Sequence, residues 1–294
     1  MPKSRRVAQS NPFLALLHGI PRLFKGYFPI FLDYAPHPIP RWGYGKPPHP
    51  LLFEMFARDR DSYQRLLREF LNYTAYLLAI PLRQPRDSDQ PSWIHNWLDG
   101  FDTLALYGFV TSRQPATYLE IGSGYSTKLV RRAIRDHSLA TRLVSIDPHP
   151  RAEIDRLCDE VIRQRLEDTE LARFEQLQSG DILFFDGSHR VFMNSDVTVF
   201  FLEVLPRLKP GVLVHVHDIE LPYDYLPERA HWYYSEQYLL AASLLAGHRN
   251  YRVVLPNAYI SREQDMLGLI NPLWLQLPGV AFRGNSFWLE ITSS

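Results

Sequence analysis

Between residues 116 and 218, five short apolar runs alternate with helix-length stretches, and each run closes on an acidic residue. Alternation of this kind predicts an α/β fold, a doubly wound and mainly parallel sheet. The expected strands are 116–121, 142–147, 161–166, 181–185 and 211–217, with 251–255 and 286–291 completing seven. Helices are expected over 125–135, 151–158, 169–177, 196–208 and 235–246. The acids at the strand ends are Glu120, Asp147, the pair Glu167 and Asp168, Asp186, and Asp218. Ligands of open parallel sheets bind beyond the carboxyl ends of the strands, so these carboxylates are expected to share one cleft.

Upstream, apolar residues from Leu51 to Leu78 recur at helical spacing until Pro81. The polar stretch 83–92 reads as a linker, which places a boundary near residue 90 between an N-terminal helical extension (1–90) and the α/β domain (91–294). Ten of the 23 prolines lie in the first 50 residues, with seven basic residues and one acid, so this arm carries +6 and the remainder −6. A basic, aromatic, Pro-broken arm suits self-packing, a membrane surface or a partner, and could dock on a neighbouring subunit of a homo-oligomer.

The whole chain is neutral, with 32 basic and 32 acidic residues, which gives no electrostatic footprint for nucleic acid. Cys158 is the single cysteine and can form no internal disulfide, so a reducing, cytoplasmic setting is expected. No readable export signal or apolar run of about 20 residues is present, and no transmembrane helix is expected.

The loop after the first strand reads Glu120-Ile-Gly-Ser-Gly-Tyr-Ser-Thr127. Glycines admit a ligand close to the backbone, and a helix start supplies free N–H groups. A dinucleotide-binding loop would carry a third glycine where this chain has Thr127, and Glu120 would repel a pyrophosphate while pairing with an ammonium group. Asp147 stands where a strand-end acid accepts hydrogen bonds from ribose hydroxyls. The combination suits a nucleoside with a cationic tail and disfavours an NAD-dependent oxidoreductase.

These residues, with Ser145-Ile-Asp-Pro148, Gly180-Asp-Ile-Leu-Phe-Phe-Asp-Gly-Ser-His189, Leu205-Pro-Arg-Leu-Lys-Pro-Gly-Val212, His215-Val-His-Asp-Ile219 and Ser235-Glu-Gln-Tyr238, resemble the class I S-adenosylmethionine-dependent methyltransferases. The likeness is to the bacterial methyltransferase-24 group, whose relatives include metal-assisted sugar O-methyltransferases. It implies a Rossmann-like fold in which Glu120, Gly122, Ser123, Gly124 and Ser126 form the methionine-end loop, Asp147 holds the ribose, and Glu167 or Asp168 sits near the adenine. It further implies that Asp186 and Asp218 hold a divalent cation such as Mg²⁺, with His217 standing where those relatives have an acid, and that His189 is the general base. The reaction implied is O-methylation of a small-molecule, sugar or glycan acceptor.

Other readings of the same residues remain. His215 and His217 alternate on one strand and face one side, where a zinc site would require a further ligand. Tyr223, Tyr225, Trp232, Tyr233 and Tyr234, interspersed with Asp224, Glu228 and Glu236, suit a sugar-binding wall or ordinary packing. A scaffold protein that keeps the fold without catalysis is the non-enzymatic alternative.

Overall fold

The computed structural model describes residues 20, 21, 24, 28–30, 32–34, 36–85, 88–150, 152–247 and 250–292. Lys3, Arg5, Arg6, Arg22 and Lys25, which carry most of the positive charge of the arm, lie outside them. The chain divides into the units Met1–Pro38 and Ile39–Ser294. The boundary expected near residue 90 falls inside the second unit.

Seven strands form one sheet in the order β3-β2-β1-β4-β5-β7-β6. They are β1 Thr117–Ile121, β2 Arg142–Ile146, β3 Glu160–Ile162, β4 Ile182–Phe185, β5 Leu213–Val216, β6 Tyr251–Pro256 and β7 Phe287–Ile291. The first five are parallel, and β7 enters antiparallel between β5 and β6. This is the doubly wound, mainly parallel, Rossmann-like sheet expected from the sequence. Every residue of β4 and β5 is buried, as expected of central strands covered on both faces.

Helices α1 Pro50–Ala57, α2 Arg60–Phe70 and α3 Thr74–Leu78 answer the periodic stretch upstream. They pack into the second unit. Phe70 of α2 meets Phe109 of α4 (Gly100–Arg113) edge-on at 5.0 Å, and a Cβ on Gly108 would stand 2.3 Å from the Phe70 ring. The Arg60 side chain pairs with Glu263 and Asp265 from the far end of the chain. Helix α4 escapes periodicity because nearly its whole circumference is apolar and buried; a helix covered on all sides has no polar stripe to reveal it.

Four further expectations change. The stretch 151–158 holds only a 3-10 turn, Asp155–Leu157, because Ile154 and Leu157 reach the core from a single tight turn. Residues 169–177 likewise form the 3-10 stretch Leu171–Gln176, and the third strand is shorter and starts earlier than expected. The helix over 196–208 is composite: α6 Asp196–Val199, a π turn Phe200–Val204 and a 3-10 turn Leu205–Arg207. Helix α5 Tyr125–Asp136 and helix α7 Glu236–Leu245 stand as read, and α8 Asn257–Ile260 and α9 Gln264–Trp274 fill the connection before β7. No described helix is long and apolar enough to cross a membrane.

Candidate active site

The site lies at the carboxyl ends of β1, β4 and β5, where short backbone bonds tie neighbouring loops together. Gly122 N–H donates to the Ile146 carbonyl at 3.0 Å, Asp186 N–H to Ile121 at 2.9 Å, and His217 N–H to Phe185 at 2.9 Å. Gly122 adopts φ +81°, open to glycine at little cost, and the loop then turns into α5.

Glu120 lies fully buried beneath this loop. Ser126 Oγ donates to its Oε2 at 3.0 Å, and the Thr127 hydroxyl donates to Oε1. Burial pushes its carboxyl up to about 7, against the lowering effect of hydroxyl donors from Thr127, Ser126 and Ser123. Asp147 caps the same loop: it accepts Ser123 N–H at 2.8 Å on one oxygen and His149 N–H at 2.7 Å on the other. The Ser123 and Ser145 hydroxyls share a hydrogen bond of 2.6 Å.

Ser123, Gly124, Tyr125 and Ser126 line a cleft together with Trp97, Leu98, Ala152, Phe184 and Asp186. Tyr125 is stacked on His95 at 3.9 Å, which fixes one wall. Glu167 and Asp168 stand apart from this lining, on the turn Leu166–Asp168, where Asp168 pairs with Arg165 at 2.9 Å. Asp186 borders the same space as the glycine loop, and Gly124 N–H at the start of α5 donates to the Thr127 hydroxyl at 3.0 Å.

At the ends of β4 and β5 a second group converges. His189 is buried in a left-handed backbone conformation at φ +63°, and its Nδ1 is hydrogen-bonded to Glu236 Oε1 at the first turn of α7. Its Nε2 lies 3.2 Å from Asp186 Oδ1 and 3.6 Å from Asp218 Oδ2. Burial alone would lower the His189 pKa, but the Glu236 charge, hydrogen bonds to Asp186 and Glu236, and the Asp218 charge together raise it well above 6.5. Tyr234 packs on the ring at 4.4 Å. Asp218 also sits at positive φ, and its Oδ1 accepts Arg229 Nη1 at 2.7 Å and Asn285 Nδ2 at 2.6 Å. Burial opposes ionisation of Asp218, yet His217, His189 and Arg229 hold its carboxyl below the ordinary value.

The expected metal ligands do not assemble as a set. The Nε2 of His217 is within 3.2 Å of the Trp97 carbonyl, one Asp218 oxygen is occupied by Arg229 and Asn285, and His189 Nε2 stands between the two aspartates. Among the described residues, no group of three or more His, Cys, Asp or Glu side chains could hold a metal ion. Asp186, His217 and Asp218 as placed therefore do not form a three-ligand cation site. The histidine pair is no zinc site either. His215 bonds Ser286 through Nε2 at 2.7 Å and stacks on Phe184 at 3.9 Å, an apolar setting that pushes its pKa well down.

Sequence reasoning did not single out Arg229 and Asn285, and it gave Glu236 only a place in the aromatic, acidic segment. Glu236 lies 47 positions from His189 and Asn285 lies 67 from Asp218, so no local pattern announces either pairing.

Sheet order, glycine loop and strand-end acids resemble those of the class I S-adenosylmethionine-dependent methyltransferases. Residues 119–219 match the family model described as a methyltransferase domain. Comparison with curated proteins finds no match. Among solved structures, the plantazolicin methyltransferase BpumL in complex with SAH is similar at 12% identity and a TM-score of 0.42, over 83% of this chain and 100% of that one. The O-methyltransferase TomG from Streptomyces achromogenes, in complex with SAM, is similar at 15% identity and a TM-score of 0.36, over 76% and 96%. The MycE methyltransferase of the mycinamycin pathway, with Mg, SAH and mycinamycin VI, is similar at 17% identity and a TM-score of 0.41, over 72% of this chain and 56% of that one.

Proposed function

We propose that this chain transfers a methyl group from S-adenosylmethionine to a hydroxyl of a sugar, glycan or glycosylated small molecule. The observation that carries the reading is the position of Asp186: it borders the cleft of the glycine loop and at the same time faces His189 Nε2 at 3.2 Å. A proton acceptor thus adjoins the space where the methyl donor fits.

When bound, S-adenosylmethionine supplies an electrophilic methyl carbon, to which the hydroxyl oxygen bonds as the carbon–sulfur bond breaks and leaves a neutral thioether. Glu120, Gly122, Ser123, Gly124 and Ser126 would hold its amino-acid end, and Asp147 fixes the loop that receives its ribose. The hydroxyl proton passes to the Asp186–His189 pair, whose facing atoms are 3.2 Å apart. Arg229 and Asn285 hold Asp218 still beside that pair. Holding the hydroxyl in line with the methyl group is the remaining contribution, and alignment alone is worth a large part of such a barrier.

The acceptor class rests on the side chains around His189. Tyr234 packs on the imidazole, Trp232 packs on Tyr234 at 5.3 Å, and Trp232 and Tyr233 are both partly open to solvent. Aromatic faces beside carboxylates suit the apolar faces and hydroxyls of a sugar ring. The test is formation of S-adenosylhomocysteine from S-adenosylmethionine with a panel of free sugars, glycosides, phenols and amines. Turnover confined to amines would reject O-methylation. His189→Ala should lower turnover on the true acceptor by about 10² to 10⁴ without loss of cofactor affinity.

A further inference from the structure

We propose that Glu236 is a positioning residue for the reaction, holding the Nδ1–H of His189 so that Nε2 faces Asp186 and the acceptor. The inference rests on the reading of Asp186 and His189 as the proton acceptor and names a residue that acts through it.

Three observations converge on Glu236. Its side chain is fully buried, its Oε1 is hydrogen-bonded to His189 Nδ1, and its Oε2 is buried without a hydrogen-bond partner in the described structure. A carboxylate placed this way is costly unless something cationic or proton-donating meets it, and the imidazole is the group that does. The backbone repeats the connection. Ser235 N–H donates to the His189 carbonyl at 2.8 Å, and Ser235 Oγ accepts Val191 N–H at 2.9 Å. The start of α7 thus grips the His189 loop from both sides, and the strained left-handed backbone of His189 is held by contacts rather than by its own preference.

The orientation follows from imidazole chemistry. With Nδ1–H committed to Glu236, the ring has one free edge, Nε2, and that edge is turned to the two aspartates whether the ring is neutral or charged. Without Glu236, Nδ1 has no acceptor in its buried surroundings, and the ring is free to carry its proton on either nitrogen or to turn.

The experiment uses the full chain in two measurements. Long-range proton–nitrogen NMR on histidine-labelled protein, with the His189 signal identified by its loss in His189→Ala, should show Nδ1 protonated with a strongly downfield proton. That proton should move upfield in Glu236→Gln, which keeps the volume and an acceptor oxygen. Nδ1 found unprotonated in the native chain overturns the proposal, and this measurement needs neither cofactor nor acceptor. In turnover, Glu236→Leu should lower kcat by about a hundredfold, within the range of a mispositioned base, and leave the acceptor KM nearly unchanged. Glu236→Gln should recover part of that loss. In a His189→Ala background neither substitution should lower kcat further, because groups acting as a unit are not additive. An equal loss in that background, or full activity of Glu236→Leu, overturns it. Should Glu236→Leu fail to fold, the comparison of Glu236→Gln in the two backgrounds decides. A confirmed NMR signature with no methylated acceptor found would count against the O-methylation reading and leave the Glu236–His189 geometry standing.

Discussion

Gly122 and Asp186 touch through their backbones: a Cβ on Gly122 would stand 2.0 Å from the Asp186 carbonyl oxygen. The glycine loop and the end of β4 are therefore one packed object, which fixes the proposed cofactor loop relative to the proposed proton acceptor. Since this peptide also needs φ +81°, Gly122→Ala meets both a clash and an unfavourable conformation. It should cost about 2 to 4 kcal/mol in thermal or denaturant unfolding and weaken S-adenosylhomocysteine binding. Native stability in that variant would show that the loop and β4 are not in contact.

Glu120 introduces a pH dependence. Because burial raises its pKa from 4.5 to about 7, the folded chain keeps a proton that the unfolded chain has released between those values. Its contribution to stability is full below pH 4.5 and declines as pH rises through this window. Glu120→Gln should lack that decline. An ammonium group brought beside the loop favours the ionised form, so cofactor affinity should rise with pH through about 7, with proton release on binding. Calorimetry in buffers of different ionisation enthalpy reads both effects; a pH-independent affinity in the native chain would contradict the pairing.

Asp147 holds the backbone of Ser123 and His149 at once. Asp147→Ala removes two charge-assisted acceptors from the loop and should weaken S-adenosylmethionine binding by roughly 1 to 3 kcal/mol, with a smaller change in stability. Calorimetric titration checks this, and unchanged affinity rejects the loop as the cofactor site.

The packing of His189 Nε2 between Asp186 and Asp218, and of Arg229 and Asn285 on Asp218, predicts that divalent ions are dispensable. Turnover in excess chelator should match turnover with added Mg²⁺. Loss of activity on chelation, restored by Mg²⁺, would mean that the aspartates rearrange to bind the ion.

A buried carboxylate outside the cleft supports the frame. Asp102 of α4 accepts the N–H groups of Asn285 and Ser286 at 3.0 and 2.8 Å, and Asn257 Nδ2 at 2.8 Å. Asp102→Ala would strand these donors in the core and should destabilise the chain by about 3 kcal/mol, measured by chemical unfolding. Because Asn285 also holds Asp218, turnover should fall further than the stability loss explains.

The alternation of apolar runs with helical stretches, and the acids that close those runs, were enough by themselves to determine a parallel sheet and the edge at which its chemistry gathers. Strand-end residues such as Glu120, Asp147, Asp186 and Asp218 are readable because a strand boundary is a local event: the apolar period stops, and the next polar side chain lies at the mouth of the sheet. Helix α4 was hidden for the converse reason, since burial on all sides removes the contrast that periodicity measures. What only the tertiary structure decided is which acid serves which purpose. Asp186 and Asp218 read alike in sequence; in the fold one faces the cleft, while the other is held by Arg229 and by Asn285 from the loop before β7. Glu236 looks like any first-turn helix acid until the packing of α7 sets it against His189. These pairings join residues tens of positions apart, and their energies depend on burial and on distances of a few ångströms, quantities that exist only once the sheet has brought its strand ends together.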